Sequence, residues 1–216
     1  MTADEVGKEI RDMIFALLVV LLVGLSLSVD LERPFGLGAL DAIALCLSAF
    51  LAHELAHKLC ARHIAGGGRF RLALTGSLFS LLAAGIQNLM GFILTALNPA
   101  AEPLRLAPYR FLAPGMVVVK GRRTRRALGG VALAGPASNL GLGWLMLALG
   151  LASPLGSELL LLGAALNAYT AITALLPLAF CDGLTIYWWS RKALVVSLGL
   201  SIILIVISNA ALLLGW

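Results

Sequence analysis

Residues 38–62 read GALDAIALCLSAFLAHELAHKLCAR, an apolar run of helix-spanning length that carries His53, Glu54 and His57 before it closes on Lys58 and Arg62. A charged group in the middle of such a run costs roughly 2.5–3.5 kcal/mol on insertion scales, so ionisable side chains there mark a working site with compensating polarity. Around this stretch the chain is overwhelmingly apolar. Of 216 residues 60% are hydrophobic and 12% charged, with a mean hydropathy of +0.97, which excludes a disordered chain and an ordinary water-soluble domain.

Uncharged runs extend over Met13–Val29, Leu72–Ala101, Ala127–Ser157, Leu159–Cys181 and Ala193–Trp216, each near or above the length that crosses a bilayer. With the interrupted span they predict about six transmembrane helices in a single integral membrane domain over residues 1–216. Acids and bases mix in the first eleven residues and no small-residue cleavage site follows, so the run from Met13 reads as a retained span. Phe111–Val119 is too short for a helical crossing, and its Ala113-Pro114-Gly115 start followed by three valines favours a strand. Gly66-Gly67-Gly68 and the alternation from Arg69 to Leu72 suggest a second one. Short strands at membrane depth must be re-entrant and covered by protein or a wet cavity.

The net charge of +5 sits between apolar runs, where it anchors to lipid headgroups rather than to nucleic acid. If the stretch from Leu72 to Val119 returns to its starting side, thirteen of the sixteen Lys and Arg fall together, leaving Arg33, Arg105 and Arg110 opposite; a single crossing would divide them six to ten. The first arrangement carries a strong positive-inside signal, placing the start of the chain, the end of the His53 span and Asp182 on the cytoplasmic side. Cys46, Cys60 and Cys181 lack metal-type spacing, and their odd number argues against a disulfide framework.

His53-Glu54-Leu55-Ala56-His57 is HExxH, and on a helix its i, i+4 spacing puts both imidazoles on one face about a turn apart. Two neutral histidines so placed can share one zinc ion (Zn2+), with Glu54 in reach of water as general base. A catalytic zinc site takes three protein ligands. His63 falls on another face and reads as interfacial, and Asp41, twelve residues before His53, reads as a cap for the first turn. Asp182 remains, at the end of an apolar run that Pro177 can break. Cys181 beside it reads as a bystander thiol, Trp188 and Trp189 as an interface anchor, and the glycines around Gly129, Gly135 and Gly143 as close helix packing.

These residues resemble the site-2 protease family of intramembrane zinc metalloproteases. His53, Glu54 and His57 fit its HExxH, Gly135-Pro136-Ala137-Ser138-Asn139 its GPxxN, and Pro177 with Asp182-Gly183 its PxxxxDG. Residues 113–119 look like the region before the middle core helix in prokaryotic members. The chain departs from the family at Ala174, where Asn is usual, and at Phe180, where a second proline is usual. The resemblance implies an all-α polytopic membrane protein with a three-helix catalytic core over about 38–65, 130–151 and 159–187. It also implies zinc on His53, His57 and Asp182, and Glu54 as the catalytic base. No PDZ-like or nucleotide-sensing appendage is expected within these 216 residues. Asn139 and Asn167 either hydrogen-bond an extended substrate or the developing oxyanion, or join helices through buried amides; Thr170 and Thr173 are further cleft candidates.

The expected activity is hydrolysis of a peptide bond in or near a transmembrane segment of a membrane-protein substrate, in a multi-pass protein of a prokaryotic cell membrane with its active site toward the cytoplasm. The alternatives are a non-hydrolytic metal-binding protein or cation transporter using the same ligands, and a membrane metallopeptidase for soluble peptides. The expected partners are a transmembrane substrate and the bilayer, with no nucleic acid.

Overall fold

The computed structural model describes residues 3–100, 103–121, 123–153 and 157–215, so the run ends at Ala101 and Trp216, and the base Arg122, lie outside the described residues. The elements are α1 (Ala3–Phe35), α2 (Ala39–Ile64), β1 (Gly68–Leu72), α3 (Leu74–Leu97), β2 (Gly115–Val119), α4 (Arg125–Ala152), α5 (Ser157–Ala174), α6 (Asp182–Trp189) and α7 (Arg191–Leu214). All but α6 among these helices are long and apolar enough to cross a bilayer, and the chain is a helical multi-pass membrane protein.

Local chemistry sets the element ends. Gly36, at φ +67°, separates α1 from α2. The Asp41 carboxylate accepts the Gly38 N–H at 3.0 Å, capping α2 from inside its first turn. Thr124 and Ser190 accept the third amide of α4 and α7 respectively. The run Leu159–Cys181 is not one helix: α5 stops at Ala174 ahead of Pro177, and α6 begins at Asp182.

Helix α5 is the most enclosed span, with 61% of its apolar window buried; it packs against α4, α7 and α2, while α1 covers α2. Helix α3 is the opposite case at 11%, and its helix contacts are mainly with α1. Strands β1 and β2 form an antiparallel pair, Gly68 opposite Val119 and Leu72 opposite Gly115. The chain therefore leaves along α3 and comes back to the same end of the bundle through residues 103–114, which form no regular element.

That returning segment lies among helices, so its backbone groups need partners that a sheet or helix would otherwise supply. Pro103, Pro108 and Pro114 remove three donors at the outset. Asn209 Oδ1 accepts the Ala107 N–H at 2.8 Å, Tyr169 Oη donates to the Ala107 carbonyl at 3.2 Å, and Ser80 Oγ accepts the Ala113 N–H at 3.1 Å. Arg110 is 3% exposed. Its guanidinium donates to the Asp30 carboxylate, to Asn88 Oδ1 and Gln87 Oε1 of α3, and to the Ser26 carbonyl of α1. The charge count places Arg110 on the side opposite the thirteen; there it is a buried pin joining the returning segment to α1 and α3. Arg105 likewise pairs with Glu158 of α5.

Candidate metal centre

Helix α2 presents His53 and His57 one turn apart, with ring centroids 4.6 Å apart and ring planes at 78°. The first residue of α6 brings Asp182 to both. Asp182 Oδ2 lies 3.2 Å from His53 Nε2 and 3.2 Å from His57 Nε2, and the two Nε2 atoms are 2.9 Å apart. A tetrahedral ion with bonds of about 2.0–2.1 Å would space its ligand atoms about 3.3 Å apart, so the triangle has the size such an ion needs.

The proton positions on the imidazoles follow from their other partners. His57 Nδ1 faces the Val131 carbonyl at 2.7 Å; a carbonyl only accepts, so Nδ1 carries the hydrogen. For His53 the argument runs through three residues. The Gly163 carbonyl orients the Asn167 amide, whose Oδ1 accepts from Asn139 Nδ2 at 2.9 Å while Ala49 O accepts from the same nitrogen at 2.8 Å. Asn139 Oδ1 is thereby turned to His53 Nδ1, at 2.6 Å, and accepts its hydrogen. In the neutral tautomers so fixed, both Nε2 lone pairs face the Asp182 oxygen, the disposition in which one cation can be shared among the three.

Close backbone approach makes the triangle accessible. A Cβ on Gly135 of α4 would stand 2.3 Å from His57 Nε2 and 2.6 Å from His53 Nε2. One on Gly183 would meet the Leu175 carbonyl at 2.0 Å, so only glycine lets α6 start this close to the end of α5. Glu54 is 6% exposed and its Oε2 finds no hydrogen-bond partner among the described residues. A Cβ on Gly115 at the start of β2 would meet Glu54 Oε1 at 2.5 Å. A cavity of ≈ 240 Å³ opens beside these groups, lined by His53, Glu54, His57 and Asp182, by residues 112–117, and by Thr170, Ala174 and Phe180.

Asn139 and Asn167 are fully buried and absent from the cavity lining, so they are not placed to hold substrate. The second alternative describes them: buried amides joining α2, α4 and α5, with the added task of orienting His53. Trp188 is exposed, whereas Trp189 is partly buried and packs its indole on Gly129 of α4, where a Cβ would meet Trp189 Cγ at 2.2 Å.

Thr170 lines the cavity, whereas Thr173 is turned to Tyr109 Oη at 2.8 Å. At the position of the missing second proline, Phe180 stacks on Phe79 of α3 with centroids 5.3 Å apart and planes at 17°. Cys181 lines the cavity but lies outside the His53, His57 and Asp182 group. His63 is exposed and apart from that group. Sequence reasoning missed the Val131 carbonyl, and it read Gly115 only as a strand start and Gly135 only as helix packing within GPxxN, not as the backbone that lies against Glu54 and the imidazoles.

No family model, curated protein or solved structure matches the chain.

Proposed function

We propose that the chain is an intramembrane zinc metalloprotease of the site-2 protease type. The observation that carries this reading is the convergence of two imidazole Nε2 atoms and a carboxylate oxygen beside Glu54, a buried acid with a free oxygen. A cation transporter has use for the three ligands but none for an unpartnered acid held next to them. In this reading α2, α4 and α5 with α6 form the three-helix catalytic core, and the β1–β2 hairpin with residues 103–114 is its re-entrant part.

His53, His57 and Asp182 fit zinc in donor type and spacing, and a bound zinc ion would supply Lewis acidity toward water and the scissile carbonyl. Glu54 takes the proton of the attacking water and passes it to the leaving amide nitrogen. Asn139 and the Val131 carbonyl hold the imidazoles in the tautomer that leaves Nε2 free. A helical substrate masks its own peptide bonds, so the substrate segment must unwind first. Strand β2 lines the cavity through Gly115, Met116 and Val117, and its outer edge offers main-chain hydrogen bonds to an unwound segment. The charge count that groups thirteen of the sixteen bases on one side supports a cytoplasmic hairpin end, so that cleavage would fall in or just below the inner leaflet of a prokaryotic membrane.

The test is Glu54→Gln in proteoliposomes with a transmembrane test substrate. Zinc content is expected to stay at the wild-type level while cleavage falls by about 10²–10⁴-fold. Undiminished cleavage would remove Glu54 as the base, and zinc flux by the wild type without cleavage would favour a transporter.

A further inference from the structure

A second polar pocket lies at the hairpin end of α1, lined by Lys8, Arg11, Asp12, Arg69, Arg71 and Lys120 around Val118. Lys8, Arg11 and Asp12 share one helix face at i, i+3 and i+4. Arg69 and Arg71 alternate along β1 on the face that turns away from buried Phe70, and Arg69 stands opposite Val118, two residues before Lys120. Five bases thus converge from a helix and a hairpin.

Acids account for only some of them. Asp4 takes Lys8, Asp12 takes Arg11 and Glu5 takes Lys120. Glu9, which also feels Arg69, is engaged by Lys58 at 2.6 Å and by the Phe70 N–H at 3.2 Å. Neither Arg69 nor Arg71 has a side-chain acceptor among the described residues, and Arg69 Nε is buried without one. Two guanidiniums with unused donors lining one pocket make a receptor for a planar or tetrahedral oxyanion.

The surface beside the pocket says which oxyanion. Ile14 and Phe15, one turn on from Arg11 along α1, are 52% and 51% exposed, and Met116, opposite Arg71 in the hairpin, is 41% exposed. A charged pocket that borders a lipid-facing apolar strip suits a headgroup whose acyl chains continue along that strip. We propose that this pocket binds the phosphate of an anionic membrane lipid. The lipid would clamp α1 to the hairpin, whose Phe70 and Gly115 form the wall beside Glu54. The inference is independent of peptide hydrolysis.

The experiment is native mass spectrometry of the full chain in mild detergent, titrated with dioleoyl phosphatidylglycerol, with dioleoyl phosphatidylcholine, and with phosphatidylglycerol in the presence of inorganic phosphate. A base near an anionic headgroup is worth about fivefold in affinity, so Arg69→Gln/Arg71→Gln should weaken phosphatidylglycerol binding about thirtyfold. Arg125→Gln/Arg126→Gln, at the exposed start of α4, should leave it unchanged. Should the double variant fail to fold, Arg71→Gln, at an exposed position, is expected to weaken binding about fivefold. Equal binding by the arginine variants and wild type, or equal binding of phosphatidylcholine, overturns the proposal. Displacement by inorganic phosphate at matched concentration overturns the lipid assignment in favour of a soluble anion.

Discussion

Replacing Gly135 by alanine adds one methyl group at the point where α4 passes the two imidazoles. The new Cβ would stand 2.3 Å from His57 Nε2 and 2.6 Å from His53 Nε2, against an ordinary contact of about 3.5 Å, so the ligands must retreat by about 1 Å. Neither ring can do so freely, since each is held from behind by a hydrogen bond of 2.6 or 2.7 Å. Metal bonds tolerate about 0.2 Å, far less than the displacement demanded. Overpacking of this kind costs about 1–3 kcal/mol, which corresponds to a roughly 5–150-fold loss of zinc affinity if the strain falls on the metal-bound state. The fold should survive, because Gly→Ala inside a helix returns about 1 kcal/mol of propensity. Gly141→Ala is the control on the same helix, with nothing within 4 Å of its added Cβ. Zinc affinity is read by competition with a chromophoric chelator, and folding by thermal unfolding in detergent. If Gly135→Ala binds zinc as tightly as Gly141→Ala, the ion does not sit where the three ligands meet.

Asn139→Leu strands the His53 Nδ1 hydrogen and should cost about 10–100-fold in zinc affinity, whereas Asn139→Asp keeps an acceptor there and should lose less; chelator competition separates the two. Arg110→Met leaves Asp30 without its buried partner and should destabilise the protein by about 3–5 kcal/mol, with partial recovery in Arg110→Met/Asp30→Leu, both read from thermal unfolding. Chelation of zinc should lower the unfolding midpoint of the wild type, by the equivalent of about 2.7 kcal/mol when free zinc is 100 times its dissociation constant; His57→Ala should show no such shift.

The spans and the two histidines were legible in the chain because the physics behind them is local. Bilayer thickness converts directly into run length, and i, i+4 spacing places His53 and His57 on one face whatever surrounds the helix. The two strands were readable from valines and glycines, but their pairing was not, since register depends on where α3 and residues 103–114 return. Arg110 entered only as a base opposite the thirteen, because hydropathy cannot register a partner eighty residues away. Asn139 and Asn167 carry amides that suit substrate or helix contacts equally, and only their position behind His53 separates the two. Trp189 next to Arg191 has the composition of an interface anchor, yet Gly129 on another helix offers its indole a groove.

By itself the amino-acid order determined a multi-pass helical membrane protein and a pair of imidazoles spaced for one metal ion, since both follow from periodicity within a single segment. Only the tertiary structure decided that Asp182, 129 residues from His53, closes the triangle, that Gly135 and Gly115 leave room around it, and that Asn139 orients a ligand. Those facts depend on how closely separate helices approach, and interhelical distance is set by the packing of every side chain between them.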